Sequence, residues 1–158
     1  MPKLQYILRT SPCAGNLLLS TFDGVLRNGL FKILNVEPND FEWKQESLPV
    51  QIGRLGVKSA CMLAPSAFLA SAAAMLSLQN TILPESLHDT EDSTVPFALA
   101  SWKTLTHNDE PIGGIQYIQL ACETPVARSA YEDLQTNCDM PADRVRLKAA
   151  EAHMPATG

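Results

Sequence analysis

Residues 48–84, LPVQIGRLGVKSACMLAPSAFLASAAAMLSLQNTILP, decide the fold of this chain: a glycine-punctuated loop feeds a long uncharged helix. Between Lys58 and Glu85 no residue carries a formal charge, so the segment has no solvated face and must lie against something. It is long enough for a membrane span, which needs roughly 20 apolar residues. Its chemistry argues against one, because the run is mostly Ala and Ser, holds Pro65 and ends in polar Gln79 and Asn80. Ala60, Ala64, Ala67, Ser71 and Ala74 recur three or four apart. They share one helical face that a neighbouring helix can approach closely, with Met62, Phe68, Leu69 and Leu76 supplying bulk around it. The stretch reads as the hub of an all-α protein, a small irregular helical bundle around a central Ala-rich helix with loose loops.

Composition sets the limits. A chain of 158 residues builds one ordinary core, and 46% hydrophobic residues with only 6% aromatics make that core helical and thin. Twelve basic against seventeen acidic residues leave a net charge of -5, the opposite of the balance that phosphate binding by Lys and Arg favours. Cys13, Cys61, Cys122 and Cys138 are widely spaced without a CxxC pair, which suits reduced thiols in an intracellular protein of the cytoplasm or nucleus. His88, His107 and His153 share no ligand spacing and read as loop or helix-end residues. No phosphate-binding glycine loop, nucleophile elbow, HExxH or paired-cysteine site occurs, so neither a metal nor a cofactor is expected. The acidic pairs Glu91–Asp92 and Asp139–Asp143 read as solubility and capping residues rather than acid–base machinery.

Outward from the hub, residues 1–84 form a helical core with the glycine turn, 85–95 an acidic linker, 96–152 a C-terminal helical segment, and 153–158 a disordered tail. Leu4, Ile7 and Leu8 stand at helical spacing and stop at Ser11–Pro12, as in the last turns of a helix whose beginning is missing. From Leu17 to Leu34, Leu18, Phe22, Leu26, Gly29, Phe31 and Ile33 mark a core stripe, with Asp23, Arg27 and Lys32 off it. Gly29 is expected to admit the hub helix. Asn39 and Asp40 cap a short helix FEWKQES, where Trp43 reads as an aromatic anchor rather than a base-stacking platform. Phe97, Leu99, Trp102 and Leu105 pattern a helix packed back on the hub. Ile112 to Ala121 fits strand and helix poorly and is assigned to helix. Thr124–Pro125 reads as a helix start, and a last helix opens near Asp139 with Val145, Leu147 and Ala150 as its apolar side.

Three pieces of the chain, PKLQYILRTSPC, SLPVQIGRLGVKSA with APSAFLASAA, and PVARSAYEDLQTNCDMPADRVRLKAA, carry a resemblance. Together they resemble the region just past the palm in reverse transcriptases of LINE-type (non-LTR) retrotransposons, RNA-directed DNA polymerases encoded by transposable elements. The likeness runs from Pro2 to about Ala150. It implies a thumb-like helical bundle lying along a primer–template duplex and touching backbone rather than bases. It aligns Gly53, Leu55, Gly56 and Val57 with the family's glycine turn, makes Arg9, Arg54 and Lys58 the nearby cations for nucleic acid, and puts Trp43 and Phe68 at packing positions. Arg54 stands where the family usually has a second glycine.

The palm aspartates that hold the metal ions of polymerisation have no counterpart here, so no catalysis is expected of this chain by itself. Two readings stand. One is a non-catalytic thumb-type fragment that meets an RNA–DNA hybrid together with a palm it lacks. The other is a helical protein-interaction module, or an inert retroelement remnant, with the hub helix exposed on one side as an apolar patch of more than a few hundred square ångströms.

Overall fold

The computed structural model describes residues 2–37, 39–50, 55–84, 94–108, 119–138 and 140–151. Among them are seven α-helices and no strand: α1 (Pro2–Thr10), α2 (Leu17–Leu34), α3 (Asp40–Glu46), α4 (Ala60–Ile82), α5 (Thr94–Thr106), α6 (Gln119–Thr136) and α7 (Pro141–Glu151). The all-α bundle around an Ala-rich helix is what the hub stretch implies. The linker of 85–93, the tail from 152 onward, residues 109–118 and Asp139 lie outside the described residues, as do His88, His153, Glu91 and Asp92.

The hub is α4, and its two faces do different work. Ala60, Ala64 and Ala67, with Leu63, pack against Leu8 of α1 and Leu19 of α2. Small side chains there let α1 close on the hub, as their spacing requires. Phe68, Leu69 and Ala70 turn the other way and meet Ala98 and Trp102 of α5 and Cys122 and Val126 of α6. A third cluster, Leu48, Tyr131, Leu134, Cys138 and Leu147, joins the α3–α4 loop to α6 and α7. Phe41 packs on that cluster, while Trp43 is only half-buried.

The hub is covered in its first half and exposed in its second. Every residue from Leu63 to Ala70 is buried. Eight in a row exceed two helical turns, which leaves no open side at this level. Cys61 in the first turn is exposed, and exposure returns toward the C-terminal end, at Met75, Leu78, Ile82 and Leu83. Among the described residues no helix is long and apolar enough to cross a membrane.

Local signals explain most boundaries. Asn16 accepts from Leu18 N at 2.9 Å to open α2, and Asn35 closes it in the left-handed region at φ 52. Asn39 and Glu42 form a reciprocal capping box on α3, each bond 2.9 Å long. Inside α6, Pro125 corrects the expected helix start at Thr124: the helix already runs from Gln119, and Thr124 Oγ1 bonds back to Leu120 O at 2.8 Å. Burial of Cys122 and Val126 on either side of the proline holds the turn together despite the missing N–H. In α7 Leu147 is buried but Val145 is exposed, and in α5 Ala98 and Trp102 form the buried line while Phe97 and Leu105 face outward.

α2 departs furthest from its expected face. Leu19 and Asp23 are its buried residues, whereas Leu18, Val25 and Ile33 are exposed. Asp23 faces inward because it caps the hub: its carboxylate accepts from Ser59 Oγ at 2.6 Å, Ala60 N at 2.7 Å and Cys61 N at 3.2 Å. Ser59 Oγ in turn accepts from Met62 N at 3.3 Å. Replacing Asp23 with Ala strands these donors, and urea denaturation should show a loss of about 2–3 kcal/mol. A loss no larger than that of an exposed-site control such as Asn28→Ala would refute this tertiary cap.

Candidate nucleic-acid interface

Of the cations singled out for nucleic-acid contact, Arg9 and Lys58 are described, as are Leu55 and Gly56 of the glycine turn; Arg54 and Gly53 lie outside the described residues. The turn that presents Lys58 is closed by two backbone bonds, Gly56 N to Leu48 O at 3.1 Å and Val57 N to Glu46 O at 3.3 Å. Leu48 anchors it, being fully buried in the third cluster. Gly56 sits at φ +65, and a Cβ there would meet Val50 Cγ2 at 2.7 Å. Both the conformation and the lack of room call for glycine. Leu55 is exposed beside it.

Arg9 and Lys58 are 49 positions apart in the numbering, yet α6 joins them. Lys58 Nζ pairs with Glu123 Oε2 at 2.6 Å. Gln119 donates from Nε2 to the other carboxylate oxygen of Glu123, and its Oε1 accepts from the Arg9 guanidinium. One chain of bonds thus runs from α1 through the first turns of α6 to the residue before the hub's cap. The lysine side chain is 51% exposed and that of Glu123 18%, so the pair is a partly solvated surface bridge, of a kind worth about 0–1 kcal/mol. Neither Gln119 nor Glu123 is flagged by sequence reasoning that begins this helix at Thr124. Asp23 stands one turn from Leu19 on the same side of α2, a placement that shows only once Leu19 is seen to be buried.

No group of three or more His, Cys, Asp or Glu side chains among the described residues is arranged to hold a metal ion. All four cysteines are free thiols. Burial first and the neighbouring Glu123 second push the Cys122 thiol up to about 11. Cys61 is exposed as a residue, but partial burial of its sulfur, then a hydrogen bond and charge repulsion from Asp23, raise it to about 11 as well.

A second surface feature lies on α2. Phe22, Val25, Leu26, Gly29, Leu30 and Ile33, with Val57 from the turn, line an open apolar groove of about 450 Å³. Gly29 does not admit the hub: a Cβ built on it meets nothing within 4 Å. It lies in the groove instead. Beside it Arg27 stacks over the Phe31 ring at 5.3 Å and pairs with Asp40 of α3. No family model, curated protein or solved structure matches the chain.

The thiol of Cys61 yields a test of the Asp23 contact. Because the thiolate is the reactive form and its pKa is raised, alkylation should keep accelerating with pH toward about 11 instead of levelling near 9.0. Removing the Asp23 charge with Asp23→Asn should speed modification at pH 8, read by peptide mass mapping. Equal rates in the two proteins would contradict the contact.

Proposed function

We propose that this chain is a non-catalytic helical element of the reverse-transcriptase thumb type, as in LINE-type retrotransposons, which touches the backbone of a primer–template duplex beside a palm contributed by other sequence. The observation that carries this reading is Gly56. It occupies the glycine turn of the LPVQIGRLGVKSA motif, and its positive φ and the lack of room for a Cβ beside Val50 give that motif a physical reason. Arg9 and Lys58, the cations that the likeness assigns to nucleic acid, also share one bonded network. No step of chemistry is assigned to the chain itself.

Contact of this kind is electrostatic. Affinity for an RNA–DNA hybrid should therefore be weak in the isolated acidic chain and fall steeply as salt rises from about 50 to 200 mM, followed by fluorescence anisotropy. Binding that stays level across that range sinks the reading.

The apolar groove of α2 favours a second reading, a helical module that docks another polypeptide. The open stripe of Leu18, Val25 and Ile33 beside Gly29 suits the apolar side of a helix laid into it. A solvatochromic dye should brighten on the wild-type protein and lose most of that signal in Val25→Ser/Ile33→Ser, with circular dichroism unchanged. An equally bright double variant removes the support for this reading.

A further inference from the structure

The cation cluster holds an internal competitor. Lys58 stands on the turn before α4, Arg9 on α1, and Glu123 with Gln119 on the first turns of α6, so three separate parts of the fold converge on one carboxylate. Glu123 has both oxygens engaged, Oε2 by Lys58 and Oε1 by the Gln119 amide, and Gln119 passes the interaction on to Arg9. The geometry points to Glu123 as a stand-in for a nucleic-acid phosphate: it occupies the acceptor position between Lys58 and Gln119, and a backbone phosphate binds there by displacing it. This inference rests on the nucleic-acid reading above and adds the site, the anion and the device that masks it.

Three observations support the exchange. A carboxylate and a phosphate both offer negative charge and two outward acceptors, so the same donors serve either. The Lys58 side chain is half exposed while that of Glu123 is mostly covered, which lets an anion reach the ammonium from solvent without backbone movement. Finally, Lys58 has to leave its own carboxylate before it meets a phosphate, which lowers the affinity of the wild type and takes one contact out of its salt slope while Arg9 keeps that slope in place.

The test uses the full chain and a fluorescein-labelled RNA–DNA hybrid. Glu123→Gln keeps the shape and the Gln119 bond but removes the charge, and it should tighten binding about five- to tenfold at about 50 mM salt while steepening the log–log salt slope by about one. Adding Lys58→Ala to Glu123→Gln should abolish the gain, and Lys58→Ala in the wild type should weaken binding by less than it does in Glu123→Gln, because there the lysine must first leave its carboxylate. If Glu123→Gln loses its helical circular dichroism, Gln119→Ala replaces it: freeing Arg9 should tighten binding, and Arg9→Ala should cancel that. Hybrid binding by the wild type with no gain in the folded variant overturns this inference alone. Absence of binding in both the wild type and the folded variant overturns the nucleic-acid reading with it.

Discussion

A helix with no charge along its length still has polar ends, and α4 begins where water is largely excluded. Ser59 and Ala60 are both buried, and the first turn contains no acidic residue of its own. The orphan N–H groups of that turn need acceptors, and an aspartate on another helix supplies them. Asp23 places a carboxylate at the positive end of the hub's dipole while saturating it with three donors, which compensates the cost of burying the charge. The same contact sets the angle of α2, because its backbone must deliver Asp23 to the hub's entrance. Turning Asp23 inward is also what rotates Leu18, Val25 and Ile33 outward and leaves the apolar groove.

A second polar contact inside the bundle centres on one carbonyl. Cys122 O accepts from the Trp102 indole at 2.8 Å and from Ser66 Oγ at 3.1 Å, so α5, α4 and α6 meet at a single polar point inside an apolar cluster. Both α4 and α6 carry an interior proline, Pro65 and Pro125, and each removes one helical N–H. Packing has to restore what the backbone loses. Ser66 follows one proline and Cys122 precedes the other by three residues, so the cross-helix bonds fall within the turns that the prolines interrupt. α6 then continues into the third cluster, where Tyr131 donates to Leu147 O at 3.1 Å. It therefore couples the hub to α7.

The helices were legible in the sequence wherever a short-range signal decided them: the Asn39 cap, the Ser11–Pro12 stop, the uncharged run of α4 and its small-residue spacing. The face of α2 was not, because hydrophobic periodicity assigns a charged residue to solvent and has no way to register a partner 37 positions downstream at Ala60. Thr124–Pro125 misled for a related reason. It is a good start signal taken locally, and the tertiary burial of Cys122 and Val126 overrides it. Of the candidate site, Gly56 and Lys58 could be read from the motif, but the joining of Lys58 to Glu123 spans 65 positions and leaves no trace in local pattern. A carboxylate that neutralises a cation looks, in sequence, like any other surface acid.

The alanine face of the hub has a consequence for the chain's surface. Arg9 rides on α1, and the depth at which α1 settles is set by Ala60, Ala64 and Ala67 beneath Leu8. Lys58 is fixed two residues ahead of the same helix. The spacing of the two positive charges is thus written in uncharged methyl groups. Enlarging one of these alanines would push α1 outward and redraw the electrostatic pattern without altering a single ionisable residue. Variation at these interior positions can therefore change what the exterior recognises, while a comparison of surface residues alone would register no difference.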